Sequence, residues 1–252
     1  MFDSVAEAYD GQFTHTRIGA AMRAAVWARC AARFRPGFRI LEMNCGTGED
    51  AGWLANQGMQ VLATDISARM IEVAHRKLDA QPQRAAVQFR RLAWEELGGL
   101  DAGPFDGMLS NFGGLNCVSD LKGAACALAG RLRPGATAIL CIMGPHVPWE
   151  WLWFLARGRP AAAFRRLHRS REWAGVTIRY PSIGAATAAF APGFRPLRVS
   201  AIGALLPPPY TEGTLRRYPR LLDTLERIER RFETRWPLPR LADHYLLELE
   251  RV

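Results

Sequence analysis

The chain has 252 residues, about half of them apolar, which is enough for a full hydrophobic core and unlike a disordered segment. Five scattered cysteines (Cys30, Cys45, Cys117, Cys126, Cys141) form no CxxC pair and five histidines form no His-x-x-x-His, so neither a zinc site nor a disulfide framework is expected. The net charge of +9 is uneven: residues 1–145 carry 15 Lys+Arg against 14 Asp+Glu, and the remainder carry 18 against 10.

The N-terminus, MFDSVAEAYD, lacks the basic-then-apolar order of a signal peptide. The longest apolar runs, such as 137–143, fall far short of the roughly 20 residues of a membrane span. A cytoplasmic protein that does not enter a membrane is expected. Residues 16–34 are Ala-rich with helical spacing and stop at Pro36-Gly37. Strands and helices then alternate. Residues 38–43, 60–65, 87–92, 105–110 and 136–143 read as apolar strands; 48–56, 67–78 and 120–132 read as helices, with Ser67 and Asp120 as caps. This order predicts an α/β fold with a doubly wound sheet, parallel over these five strands and covered on both faces.

Past Met143 the pattern changes. Residues 145–171, rich in Trp and Arg, read as two short helices, 176–180 as a strand, 181–190 as a helix and 194–205 as a long strand. Pro207-Pro208-Pro209 breaks the chain, 214–235 reads as one long amphipathic helix, and 245–252 as a closing strand. The whole chain, 1–252, is expected to be one domain. Residues 1–35 would form an N-terminal helical lid, 36–143 a cofactor-binding core, and 144–175 and 206–240 substrate-cap insertions. The C-terminal basic excess fits nucleic acid or an anionic substrate. However, only Lys77 and Lys122 are lysines, which points to a general arginine bias. Arg227, Arg230 and Arg231 alternate with Glu226, Glu229 and Glu233 as a solvated, partly paired helix surface would.

The loop after the first strand carries the chemistry. Small residues between a strand and a helix bring backbone N–H groups to the carboxyl end of the sheet, where open α/β sheets bind ligands. Asp65 ends the second strand, 19 residues past Gly46, where a carboxylate can accept both hydroxyls of a ribose. Two cofactors fit. Gly46-Thr47-Gly48-Glu49-Asp50-Ala51 satisfies a dinucleotide pattern. Glu42 argues instead for S-adenosylmethionine (SAM), because an acid repels a pyrophosphate and suits an ammonium and a sulfonium. Asn44 fits either, since Asn tolerates the left-handed backbone region better than other non-glycine residues.

These residues resemble a class I SAM-dependent methyltransferase of the small-molecule type. Glu42-Met43-Asn44-Cys45-Gly46-Thr47-Gly48 is similar to the family's acid-x-Gly-x-Gly-x-Gly motif, with Asn in place of the first Gly. Asp65-Ile66, Ala93-Trp94-Glu95, Asn111-Phe112-Gly113-Gly114 and Leu132-Arg133-Pro134-Gly135 follow in the family's order. The resemblance covers residues 36–143 well and 176–252 loosely. It implies a Rossmann-like, seven-stranded sheet and SAM as cofactor. By position, Glu42, Asn44 and the Gly46 and Gly48 backbone would hold the methionine part, and Asp65 the ribose. Ile66 and Met70 would pack on adenine, Ala93 N–H or Trp94 would meet its edge, and Asn111 with Phe112 would place the methionine moiety beside the substrate. Asn111 is not followed by Pro-Pro-Tyr, so the resemblance does not extend to enzymes methylating exocyclic amines of nucleic-acid bases.

Methyl transfer from a sulfonium requires alignment and, only where the nucleophile carries a proton, a base. Tyr9 and His15 in the lid and His146 past the fifth strand are the catalytic candidates; Arg23 would meet the cofactor carboxylate or lie on the surface. Trp149, Trp151, Trp153 and Phe154 would wall an apolar pocket, Tyr210 would cap it, and His244 would be structural. The expected partner is a small-molecule acceptor, apolar or aromatic, on a monomer or homodimer, with nucleic acid unfavoured. An RNA methyltransferase using the basic C-terminal part is the alternative.

Overall fold

The computed structural model describes residues 2–79, 81–173 and 175–252; Met1, Ala80 and Ala174, of which the first and last fall in the expected lid and first insertion, lie outside it. Among the described residues nine strands form: β1 Arg39–Met43, β2 Gln60–Asp65, β3 Val87–Arg91, β4 Phe105–Ser110, β5 Leu132–Met143, β6 Ser170–Trp173, β7 Val176–Arg179, β8 Phe194–Ile202 and β9 His244–Arg251. Seven make one sheet in the order β3-β2-β1-β4-β5-β9-β8. The pairs from β3 to β5 are parallel, whereas β9 runs antiparallel between β5 and β8. A mixed α/β, Rossmann-like sheet is therefore present, with its first five strands as expected.

Period-2 alternation sends successive side chains to opposite faces. Leu41, Met108, Leu140 and Leu247 enter one core with helices Leu121–Ala129 and Ile183–Phe190. Ile40, Leu109, Cys141 and Leu246 enter the other, beneath helices Arg17–Arg33 and Glu49–Asn56. Each fully buried Leu or Ile contributes roughly 1.5–3 kcal/mol. Among the buried polar residues on the second face is Glu248 of β9, whose carboxylate receives Arg29 Nε at 2.6 Å and Arg33 Nε at 2.7 Å. That pair of contacts pins the first long helix onto the antiparallel strand.

The strand expected at 176–180 is present as β7, paired with β6 in a separate antiparallel hairpin. Three expectations need correction. β5 begins at Leu132, which pairs with Phe105 before a register shift brings Thr137 opposite Gly107. The expected helix 214–235 is two, Glu212–Leu215 and Pro219–Phe232, because Pro219 holds Tyr218 out of helical geometry. Glu229 is not surface: it is buried and accepts the backbone N–H groups of Gly203, Leu205 and Leu206, so it fixes the turn after β8. Among the described residues no helix is long and apolar enough to cross a membrane.

Candidate functional site

The carboxyl ends of β1, β2 and β4 open onto a cavity of about 720 Å3. Its floor begins at the loop after β1. Asn44 has φ +54°, in the left-handed region, as do Gly46 at +54° and Gly48 at +76°. The Asn44 side chain is not a passive stand-in for glycine. Its Nδ2 donates to Asn111 O at 2.8 Å, and its Oδ1 accepts from Ser110 Oγ at 2.6 Å. These bonds tie the β1 loop to the end of β4. Gly48 serves packing instead: a Cβ there would lie 2.9 Å from Ala74 Cβ, and Gly48 does not line the cavity.

Asp65 is held at the cavity wall by two backbone donors. Gly46 N–H reaches Oδ2 and Ser67 N–H reaches Oδ1, both at 2.9 Å. Burial pushes its carboxyl up, against those same N–H bonds. Each oxygen retains a lone pair for a further donor. Beside it, Ile66 lines the cavity and is 54% exposed, so its apolar surface is open to a ligand there. Met70, Ala93 and Trp94 complete this end. The Ala93 N–H, expected to meet adenine, is already taken by Glu96 Oε2 at 2.8 Å. Trp94 remains, with an Nε1–H buried and unpartnered.

Glu42 lies behind the loop, 1% exposed, with Oε2 unpartnered. Burial, then the neighbouring Asp50 charge, holds its carboxyl well above the ordinary range. It does not line the cavity itself. Asp50 is the hub of this region. It accepts Arg23 Nη1, Trp27 Nε1 at 2.6 Å and Asn111 Nδ2 at 3.0 Å. Arg23 is therefore neither on the surface nor on the cavity wall; it is buried in an ion pair, with Phe112 4.9 Å from its guanidinium. Asn111 and Phe112 do line the cavity, Phe112 at φ +46°.

The N-terminal segment closes over the cofactor end. Three acids on it grip the β2–helix side. Asp3 accepts from Ser67 Oγ and from Arg69 N–H, Glu7 pairs with Arg69 and Arg76, and Asp10 meets Thr47 Oγ1 at 2.7 Å and Lys77 Nζ at 2.8 Å. Phe2, Asp3 and Tyr9 thereby become walls of the cavity. Of the three catalytic candidates only Tyr9 reaches it. His15 is exposed, and its backbone N–H bonds Asp10 O to close the preceding turn. His146 lies off the cavity with its ring 6.5 Å from that of Trp151, and burial followed by the Arg240 charge lowers its pKa.

The opposite end of the cavity comes from residues the sequence reading missed: Cys117, Met143, Arg165, Arg166, Trp173 and Tyr180 among them. Trp149, Trp151, Trp153 and Phe154 do not line it. Trp149 Nε1 donates to Leu205 O at 2.9 Å, and Tyr210 packs against Trp153 and Phe154. Tyr210 thus covers the insertion, not the cavity. His244 is structural, its ring 5.4 Å from that of Phe112 and its Nδ1 3.2 Å from Asp243. Gly175, between the two strands of the hairpin, has φ +81°.

Residues 40–135 match the family model described as a methyltransferase domain. Among curated proteins the chain is similar to a demethylmenaquinone methyltransferase of Clavibacter sepedonicus, 34% identical over 149 residues, which are 59% of each chain. It is also similar to a tRNA 5-carboxymethoxyuridine methyltransferase of Escherichia coli (strain K12), 29% identical over 58% of this chain and 57% of that one. The matches span less than two thirds of these relatives' own length. Among solved structures, an S-adenosylmethionine-dependent methyltransferase from Mesorhizobium loti is 19% identical with a TM-score of 0.58, covering 90% of this chain and 98% of that one. The geranyl diphosphate C-methyltransferase from Streptomyces coelicolor A3(2) is 16% identical with a TM-score of 0.61, covering 91% and 77%. At these identities the structures share the fold.

Proposed function

We propose, from the premise that this chain belongs to the class I SAM-dependent methyltransferases, that it binds SAM in the cavity and transfers its methyl group to a small-molecule acceptor. The observation that carries this reading is Asp65: a buried carboxylate oriented by two backbone N–H groups at the wall of the cavity, with acceptor capacity left over. The rest of the site fits the same group. Trp94 and Glu42 each leave a buried polar atom without a partner at or behind the cavity, which is costly unless a ligand answers it.

SAM, when bound, would supply a methyl group on a cationic sulfonium for in-line displacement by an acceptor lone pair. The chain's residues do the rest. Asp65 takes the ribose hydroxyls, and Ile66, Met70 and Trp94 enclose adenine. Glu42, whose carboxyl burial holds well above its ordinary range, lies behind the Gly46 loop, where a cationic ligand would favour its ionised form. Phe112 and the lid residues Phe2 and Tyr9 exclude water. No histidine lines the cavity among the described residues, so Tyr9, at the wall, is the residue we place next to a departing proton. Burial pushes its phenol up, which suits hydrogen bonding to a nucleophile better than removing a proton from it.

Calorimetry with S-adenosylhomocysteine tests the reading. Binding should be present in the wild type and weakened at least tenfold in Asp65→Ala; absence of binding, or an unaffected variant, overturns it. The resemblance to demethylmenaquinone methyltransferases supports an apolar, aromatic acceptor. A second reading, RNA methylation, draws on the tRNA-modifying relative and the basic C-terminal part. It requires RNA affinity that falls steeply with salt, which a titration at two ionic strengths reveals.

A further inference from the structure

The acids lining the cavity are Asp3, Asp65 and Glu95, with Arg91 beside them and bonded to Ile66 O; Arg165, Arg166 and Arg171 line it as well. Two of these arginines are committed. Arg166 is buried and bonded to Glu150, to Asp243 and to the carbonyls of Gly144 and Asp243. Arg165 pairs with the same Glu150. Asp243 answers Arg166 and His244; burial would raise its carboxyl, but those two charges hold it well below the usual range. Arg165 and Arg166 are thus held by Glu150 and Asp243, whereas among the described residues the Arg171 side chain has no hydrogen bond or ion pair.

Arg171 sits on the β6–β7 hairpin, in register opposite Ile178, with Trp173 opposite Val176. Directly opposed residues share a face, and alternate residues along each strand do too. All four line the cavity. The other face is closed on itself by Thr177 Oγ1 donating to Glu172. One face of the hairpin thus offers an aromatic and aliphatic wall ending in one free guanidinium.

Resting on the methyltransferase reading, we propose that the acceptor is an anionic aromatic molecule: its ring system lies on Trp173, Val176 and Ile178, and its carboxylate or phosphate is received by Arg171. A planar guanidinium matches either group by paired N–H donors. A negative charge on the acceptor also offsets the repulsion of gathering a cationic cofactor beside a cationic wall. The anion is the anchor; the attacking atom is elsewhere on the ring system, toward Met143 and Phe112.

The test uses the full chain saturated with S-adenosylhomocysteine and three probes of one shape: 2-naphthoate, 2-naphthyl phosphate and neutral 2-naphthol. By calorimetry at pH 7, at least one anion should bind ten times more tightly than the naphthol; which anion does so distinguishes a carboxylate from a phosphate acceptor. Arg171→Met should lose most of that preference and Arg171→Lys should recover part of it, with thermal unfolding confirming that each variant is folded. Equal binding of all three probes, failure of both anions to bind at millimolar concentration, or a preference unchanged in Arg171→Met overturns the proposal. Failure of the wild type to bind S-adenosylhomocysteine is a separate result and strikes the underlying reading instead.

Discussion

Asn44 shows what a single residue hides in a sequence. Its residue type made the left-handed backbone admissible, and φ +54° agrees. Its side chain was invisible in sequence because the partners, Ser110 and Asn111, lie 66 and 67 residues away. Asn44→Gly should keep the loop conformation but lose both bonds, costing about 1–2 kcal/mol in chemical denaturation and severalfold in S-adenosylhomocysteine affinity. Asn44→Val adds a β-branched side chain to a left-handed site and should cost about 1–3 kcal/mol more. Equal losses in the two variants would show that the backbone, not the side chain, is indifferent there. Glu42 gives the opposite case, a motif acid found by position whose burial could be read only in three dimensions. Because its folded pKa is raised, the folded chain holds a proton that the unfolded chain releases. Stability therefore falls as pH rises from about 4.5, the ordinary value, toward the folded one. Glu42→Gln removes that slope. Its melting temperature should exceed the wild type's increasingly between pH 5 and 8, by some 2–4 °C per kcal/mol, while its affinity for S-adenosylhomocysteine falls. Parallel melting curves across this range would contradict the assignment.

Elements were most legible where one period ran without interruption. The first long helix and the strands β1, β2 and β4 appear within a residue of their expected ends, because caps and Gly/Pro breaks sit beside them. The C-terminal part was harder, since its elements depend on partners far away in sequence. Pro219 lay in plain view, yet the amphipathic pattern ran across it and concealed the break. The β6–β7 hairpin is four residues per strand, too short for periodicity to separate it from loop. Consequently the cavity-lining residues of the β1 loop and the tips of β2 and β4 were readable, and those of the hairpin were not. Glu248 decides how one element is anchored. Glu248→Ala leaves Arg29 and Arg33 without their shared acceptor and should cost roughly 3 kcal/mol in urea denaturation, the low end for a broken buried pair because both arginines keep some solvent. A loss under about 1 kcal/mol would mean that the helix is held by its apolar face alone.

Across the whole molecule, the fold regroups charge. The basic excess of the sequence lies after residue 145, and Arg165, Arg166 and Arg171 from that part reach the cavity lining, which Asp3 of the N-terminal segment also joins. The insertion is held in place by Arg166, which ties residue 150 to the ends of β5 and β9. The placement of β9 has a further consequence. Among the described residues strand β8 has no sheet neighbour except β9, and β9 is also the bridge to β5 and the holder of Glu248. As the chain leaves the ribosome, the five parallel strands can associate while β8 waits, its backbone donors and acceptors facing water, until the residues of β9 emerge and slide between two strands already made. The cofactor-binding half is thus ready to assemble during synthesis, and the antiparallel edge can be completed only after residue 251 is free of the exit tunnel.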